Sequence, residues 1–289
     1  MDKLALKQAI YYGSYLVFPF AAYFVIRLSR GARHRWIAIV ALCCALLFGW
    51  ARFVEPQIIT VRQHHARIGF PAKLALIADL HMGVYKRAPF LERLVDKLNA
   101  LDVDFVLIAG DFIEEPEGPL PELFAPFRKL RHKAYAVRGN HDSGAPGPPV
   151  EKELRAALTD VGVTLIENDA VRLGNFVLVG LGDRWANNDR VDTLKAFRAS
   201  DNVIVLTHNP DTALLLPPGI ADLTLAGHTH GGQIRIPWLY RAALPTDGPF
   251  DRGWYELPTT RLFVTTGVGE NALPMRFLVP PVIDVLVLD

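Results

Sequence analysis

Residues 221–232 read ADLTLAGHTHGG. The first six lean apolar and alternate enough for a buried strand, and Gly227 ends the run by admitting backbone angles that other residues resist. His228 and His230 then stand on the loop at the carboxyl end of that strand, and Gly231 and Gly232 leave the loop free to fold close against a site. An isolated H-x-H of this kind is more often a solvated turn than a ligand pair. The rest of the chain has to be weighed against that reading.

Working outward, four more apolar runs end in polar donors. KLALIADLH (73–81) ends in Asp79 and His81, VDFVLIAGD (103–111) in Asp111, AYAVRGNHD (134–142) in Asn140, His141 and Asp142, and VIVLTH (203–208) in His208. Amphipathic helical stretches such as FLERLVDKLNAL (90–101) and residues 150–161 separate the early strands. A proline-rich region from 217 to 258 divides short strands, and the alternating VIDVLVL (282–288) closes the chain. Strands alternating with helices, followed by a strand-rich half, predict an α/β protein of two packed sheets with helices outside. Ligands in such architectures collect at the carboxyl ends of strands.

Any one of these donors has a bland role: Asp79 or Asp111 could cap a helix, and Asn140 could form a turn. Five strand ends carrying oxygen or imidazole donors at equivalent places outweigh those separate explanations. A mixed set of carboxylate, amide and imidazole suits Mn, Fe, Zn or Co better than Ca or Mg, which favour oxygen shells. Seven ligands exceed one four-coordinate ion and suit two ions sharing a carboxylate.

D-x-H, G-D-x-x-E, G-N-H-D, a lone H and G-H-x-H occur in that order, and together they resemble the five signatures of the calcineurin-like metallophosphoesterase superfamily. The resemblance runs through almost all of the chain after residue 70. GHTHGGQIRIP and TTGVGENALPMRF are similar to its bacterial membrane-associated, YkuE- and YaeI-like branch. It implies a four-layer α/β/β/α sandwich of two mixed sheets around a dimetal centre. Position by position, it implies that Asp79, His81 and His230 hold one divalent ion and Asn140, His208 and His228 the other, with Asp111 bridging. His141 is left to assist the leaving oxygen, and Glu114 falls where the family has an aspartate that orients this histidine. The longer Glu114 is a departure that changes the reach. The implied reaction is phosphoester hydrolysis, mono- or diester, by a metal-bridging hydroxide, with Mn the first choice of metal and Fe, Zn or Co the others.

The first fifty residues differ from the remainder. Residues 8–26 carry no charge and, at about 1.5 Å per residue, nearly span a hydrocarbon core of about 30 Å. Residues 36–51 are also uncharged but reach only roughly 24 Å, so Arg35 and Arg52 would have to snorkel. The expected organisation is a membrane-anchoring helical hairpin over 1–55 and a catalytic domain over 56–289. Four arginines between the spans (Arg27, Arg30, Arg33, Arg35) place that loop in the cytoplasm and the catalytic domain outside the bacterial inner membrane. If the second segment only lies in the interface, the sidedness reverses.

The formal net charge of +1 offers no field for nucleic acid, so none is expected as a partner. Both cysteines, Cys43 and Cys44, lie in the hairpin. A membrane hairpin beside a hydrolytic site points to a lipid-linked or cell-envelope phosphoester. Arg138, Arg184 and Arg276 are the candidate substrate-binding cations, and Trp185, Asn187 and Asn188 could line a pocket. His64 and His65 precede the first motif and read as a solvated turn. Two alternatives stay open: a catalytically inactive metal-binding scaffold on the same fold, and a nuclease. The sequence leaves the oligomeric state open.

Overall fold

The computed structural model describes residues 2–31 and 33–289. Beyond Thr60, two six-stranded sheets pack face to face. The first has the order Thr60–Ala66, Val282–Leu288, Ala72–Ile77, Phe105–Ala109, Lys133–Val137, Val163–Leu165. Its pairs are parallel except where Val282–Leu288 meets Ala72–Ile77. The second runs Gly253–Glu256, Arg261–Val264, Leu223–Ala226, Val203–Leu206, Phe176–Gly180, Asp169–Leu173. It is parallel in the centre and antiparallel at both edges.

The near-continuous apolar runs are explained by burial on both faces. Leu74 and Leu76 point between the sheets and meet the layer of Ile204, Leu206, Leu223 and Leu225. Their neighbours Ala75 and Ile77 face the opposite way, into the layer of Leu91, Leu94, Leu154 and Leu158 from helices Ala88–Asn99 and Glu151–Asp160. The far side of the second sheet has a thinner cover. There the 3-10 segments Val191–Ala196 and Pro210–Leu215 supply Leu194 and Ala213 against the strands.

The doubled histidines are corrected. His64 and His65 lie within strand Thr60–Ala66, because the last strand offers a seven-residue parallel ladder that pairs them with Leu286 and Val287. His64 Nε2 is 2.8 Å from Asp284 Oδ1, which fixes that imidazole in a structural contact. Gly231 performs the close approach read from the sequence. Its φ is +59°, and a Cβ there would lie 2.6 Å from Thr266 Cγ2.

The amino-terminal helices run further than the uncharged segments alone indicate. One extends over Lys3–Ser29 with a 3-10 turn at Ser14–Leu16, the other over Arg35–Gln57 with a π turn at Trp50–Val54, and both are long and apolar enough to cross a membrane. Val17–Ser29 packs on Arg35–Gly49, while Phe18, Phe20, Val25, Ile39, Val40 and Leu46 stay exposed. The first turns reach the globular part instead. Gln8 Nε2 donates to Glu117 Oε1 at 2.6 Å, and Tyr11 stacks on Tyr85. Glu55, buried at the junction, accepts from the Val279 amide at 2.6 Å and from Trp50 Nε1 at 2.9 Å.

Candidate metal centre

The carboxyl ends of five central strands meet at one point. Asp79 follows Ala72–Ile77, Asp111 follows Phe105–Ala109, and Asn140 and His141 follow Lys133–Val137 in the first sheet. From the second sheet, His208 follows Val203–Leu206, and His228 and His230 follow Leu223–Ala226. All are buried. Asp79, His81, Asp111, His228 and His230 have φ of +54°, +45°, +54°, +72° and +51°. Non-glycine residues seldom adopt this region, and it costs about 1–3 kcal/mol each, so the surroundings must enforce it. Backbone clamps do so: Asp79 N donates to Gly110 O, His81 N to Asp111 O, and Gly269 N to Asp79 O. Gly139 leaves the space that Asp111 occupies, since a Cβ there would fall 2.1 Å from Asp111 Oδ1.

Three overlapping donor groups result among the described residues, one of them His81, Asp111 and His141. Ligand atoms of Asp79, His81 and His230 lie within 4.8 Å of one another, as do those of Asp111, His208 and His228. Asp111 Oδ2 stands between these two groups, 3.5 Å from His81 Nε2 and 3.2 Å from His208 Nε2. Asn140 Oδ1 lies 3.1 Å from His208 Nε2.

The donor chemistry fits divalent cations. His81 Nε2 faces His230 Nε2 at 3.0 Å, and His208 Nε2 faces His228 Nδ1 at 3.1 Å. Two ring nitrogens at that distance share one proton at most, whereas a cation between them uses both lone pairs. Burial holds His81 and His230 well below the ordinary imidazole pKa and His228 down to about 3, which is the neutral, ligating form. Burial, with repulsion from Asp111, pushes the Asp79 carboxyl up to about 7. Burial opposes ionised Asp111 too, but His208 and His141 outweigh it and hold this carboxyl well below its usual range.

Beside the donors, His141 Nδ1 lies 2.5 Å from Glu114 Oε2. The extra methylene of Glu114 is therefore accommodated. The short strand pairing Met82–Gly83 with Ile113–Glu114 brings its buried carboxylate under the histidine. Its other oxygen forms an ion pair with Lys7 from the first helix. On the far side of the ring, Asn271 Nδ2 lies 3.2 Å from His141 Nε2, and Asn271 is clamped by Gln233 through its amide and carbonyl. Trp185 sets its edge against His228, with centroids 4.5 Å apart. A cavity of about 550 Å³ opens over this cluster, with Lys3, Lys7, Trp185, Tyr240, Asn271 and Leu273 in its walls.

Three sequence candidates sit elsewhere. Asp142 points behind the cluster and accepts from the amides of Phe112, Ile113 and Gly139, tying two motif loops together. Arg138 is taken up by Glu167 at 2.7 Å and Glu151 at 2.8 Å. Arg276, fully buried, donates to the carbonyls of Gly269, Thr266 and Val279. Neither arginine lines the cavity. Each guanidinium is engaged within the fold, Arg276 by buried carbonyls and Arg138 by buried Glu167 and exposed Glu151. Arg184 does border a recess next to the main cavity, with Trp185, Asn187 and Asp189. Asn188 instead accepts from Asn168 through its carbonyl.

Lys7 and Asn271 escaped the sequence reading. Lys7 is separated from Glu114 by more than a hundred residues and lies at an amino end whose charge and hydropathy bear only on membrane placement. Asn271 stands in GENALPMRF, a stretch noted only as a whole.

Residues 72–232 match the family described as Calcineurin-like phosphoesterase. The metallophosphoesterase YkuE of Bacillus subtilis is 32% identical over 278 residues, covering 87% of this chain and 93% of that one. The chain belongs to the calcineurin-like phosphoesterase family. Phosphodiesterase YaeI of Escherichia coli is 29% identical, covering 83% of this chain and 93% of its own. UDP-2,3-diacylglucosamine pyrophosphatase LpxG of Chlamydia trachomatis is 26% identical, covering 82% and 91%. Like other members, the protein is a metal-dependent phosphoester hydrolase, and its buried donor groups agree with a family that uses two metals.

Proposed function

We propose that this calcineurin-like phosphoesterase is a membrane-anchored hydrolase of a lipid-linked or cell-envelope phosphoester, with residues 1–55 as anchor and 56–289 as catalytic domain. Asp79, His81 and His230 would hold one ion, Asn140, His208 and His228 the other, and Asp111 both. The observation that carries this reading is Asp111 Oδ2, placed within 3.5 Å of an imidazole from each donor group. When bound, two such ions, Mn preferred, supply Lewis-acid polarisation of a phosphoryl group and an activated water.

The protein's own part is positioning and a proton. Glu114 accepts from His141 Nδ1, which fixes the ring. Nε2 is then the atom that delivers a proton to the departing oxygen. Asn271 Nδ2 lies against that same nitrogen and can donate to it only once the proton has left, which would hold the neutral ring.

A lipid-linked substrate is supported by the two helices of membrane-crossing length, by Lys3 and Lys7 in the cavity wall, and by the name of the LpxG relative. The arginine-rich loop between the helices supports a catalytic domain outside the cytoplasm, by the positive-inside rule. The test is turnover by the full chain in vesicles, on an aryl phosphodiester, an aryl phosphomonoester and lipid-linked phosphates, after metal stripping and reloading. Restored turnover on a lipid-linked phosphate supports the reading. Turnover confined to soluble esters removes the lipid substrate, and bound metal without any turnover favours a binding scaffold.

A further inference from the structure

We infer that the loop over residues 234–245, IRIPWLYRAALP, is a second membrane-contacting element that turns the mouth of the active site onto the bilayer surface. The inference deepens the proposed lipid substrate and rests on it. Ile236, Trp238 and Leu239 are 45%, 92% and 66% exposed, an unusual outlay of large apolar surface at the edge of a hydrolytic cavity. They are not left out for want of a core. The same loop is pinned from behind, with Arg235 donating to Gly231 O and Asp251, and the Tyr240 hydroxyl also reaching Asp251.

A bilayer is the occupant because the patch continues into the anchor. Arg235 N donates to Phe277 O and Phe277 N to Gln233 O, while Arg276 N donates to Ala51 O at the foot of the second apolar helix. Leu273 and Leu278, in the same segment as Arg276 and Phe277, are exposed as well. The cavity walls carry Lys3 and Lys7 of the first helix together with Ile234, Tyr240 and Ala243 of the loop. A tryptophan beside an arginine, as in Trp238 and Arg241, suits the headgroup region, where an amphipathic ring and a cation are both favoured. A lipid lying in that interface presents its phosphate to the metal cluster without leaving the membrane.

The experiment uses the full chain reconstituted in phosphatidylethanolamine and phosphatidylglycerol vesicles, with a brominated phospholipid as quencher. The inference expects a component of tryptophan quenching that vanishes in Trp238→Phe. Equal quenching in both proteins overturns it. A paired assay uses Trp238→Ser with Leu239→Ser, two residues outside the cavity. Turnover of a vesicle-borne phospholipid-type ester should fall about tenfold, the equivalent of one large apolar side chain left in water, while hydrolysis of a soluble aryl phosphodiester stays at the wild-type rate. An equal effect on both substrates overturns the docking role. If wild type hydrolyses neither ester, the proposed activity fails instead, and quenching still decides the contact with lipid.

Discussion

The floor and the rim of this cavity are built by opposite rules. On the floor, buried carboxylates and imidazoles converge on left-handed backbone that two sheets hold in place. On the rim, an amino-terminal helix and an irregular loop leave aromatic and aliphatic side chains in the open. The floor is expensive to build and tolerates almost no change, so it specifies the chemistry. The rim is loosely specified by the fold, so it is free to choose where the substrate comes from. Lys7 joins the two, since it comes from the first apolar helix and ends on Glu114.

Breaking the floor should give the largest effects. Asp111→Ala removes the oxygen that stands within 3.5 Å of an imidazole from each donor group. Several kcal/mol of charge stabilisation are lost with the ions, and turnover should drop about 10³-fold or more. Elemental analysis should find fewer than two metals per chain, and a full complement with wild-type turnover would show that Asp111 is not shared. His141→Ala should lower turnover on a poor leaving group by about 10²–10⁴-fold while metal content holds. On an activated aryl ester the loss should be smaller, because the departing oxygen then needs little help. An equal loss on both esters would mean that His141 serves binding rather than proton delivery.

Glu114→Gln keeps the size of the side chain and removes the charge under His141. A fall of about 10–100-fold, typical when a supporting partner is changed, should appear together with a shifted pH–rate profile. An unmoved profile would reduce Glu114 to a packing residue. Smaller again is the expected response of Lys7→Ala, a few-fold change in turnover with metal content intact. A complete loss would make the first apolar helix part of the catalytic floor and dissolve the contrast between the two regions. Metal binding should also protect the fold: a hundredfold excess over the dissociation constant contributes about 2.7 kcal/mol. Chelation should therefore lower the melting temperature of the wild type and leave that of Asp111→Ala nearly unchanged.

The same contrast explains what the sequence discloses. Donors at strand ends are legible because each follows its own apolar run within a few residues, and because covalent order preserves the sheet order in ADLH, AGD and GNHD. The two apolar helices are legible by composition, although the second runs on to Gln57 through a junction that Glu55 makes with the distant Val279. Nor does the sequence show that Arg138 and Arg276 are engaged by partners inside the fold. A guanidinium that bonds buried carboxylates or carbonyls looks identical, in sequence, to one that waits for phosphate. His64 and His65 join a strand through pairing with residues more than two hundred positions away, and no local pattern announces that.

The central claim is that one carboxylate, Asp111, organises two metal ions at the meeting of the sheets. Its most direct test is an anomalous diffraction map of the protein loaded with Mn. The account predicts two peaks, one beside His81 and His230 and one beside His208 and His228, with Asp111 touching both. A single peak, or two peaks that Asp111 does not bridge, would contradict it.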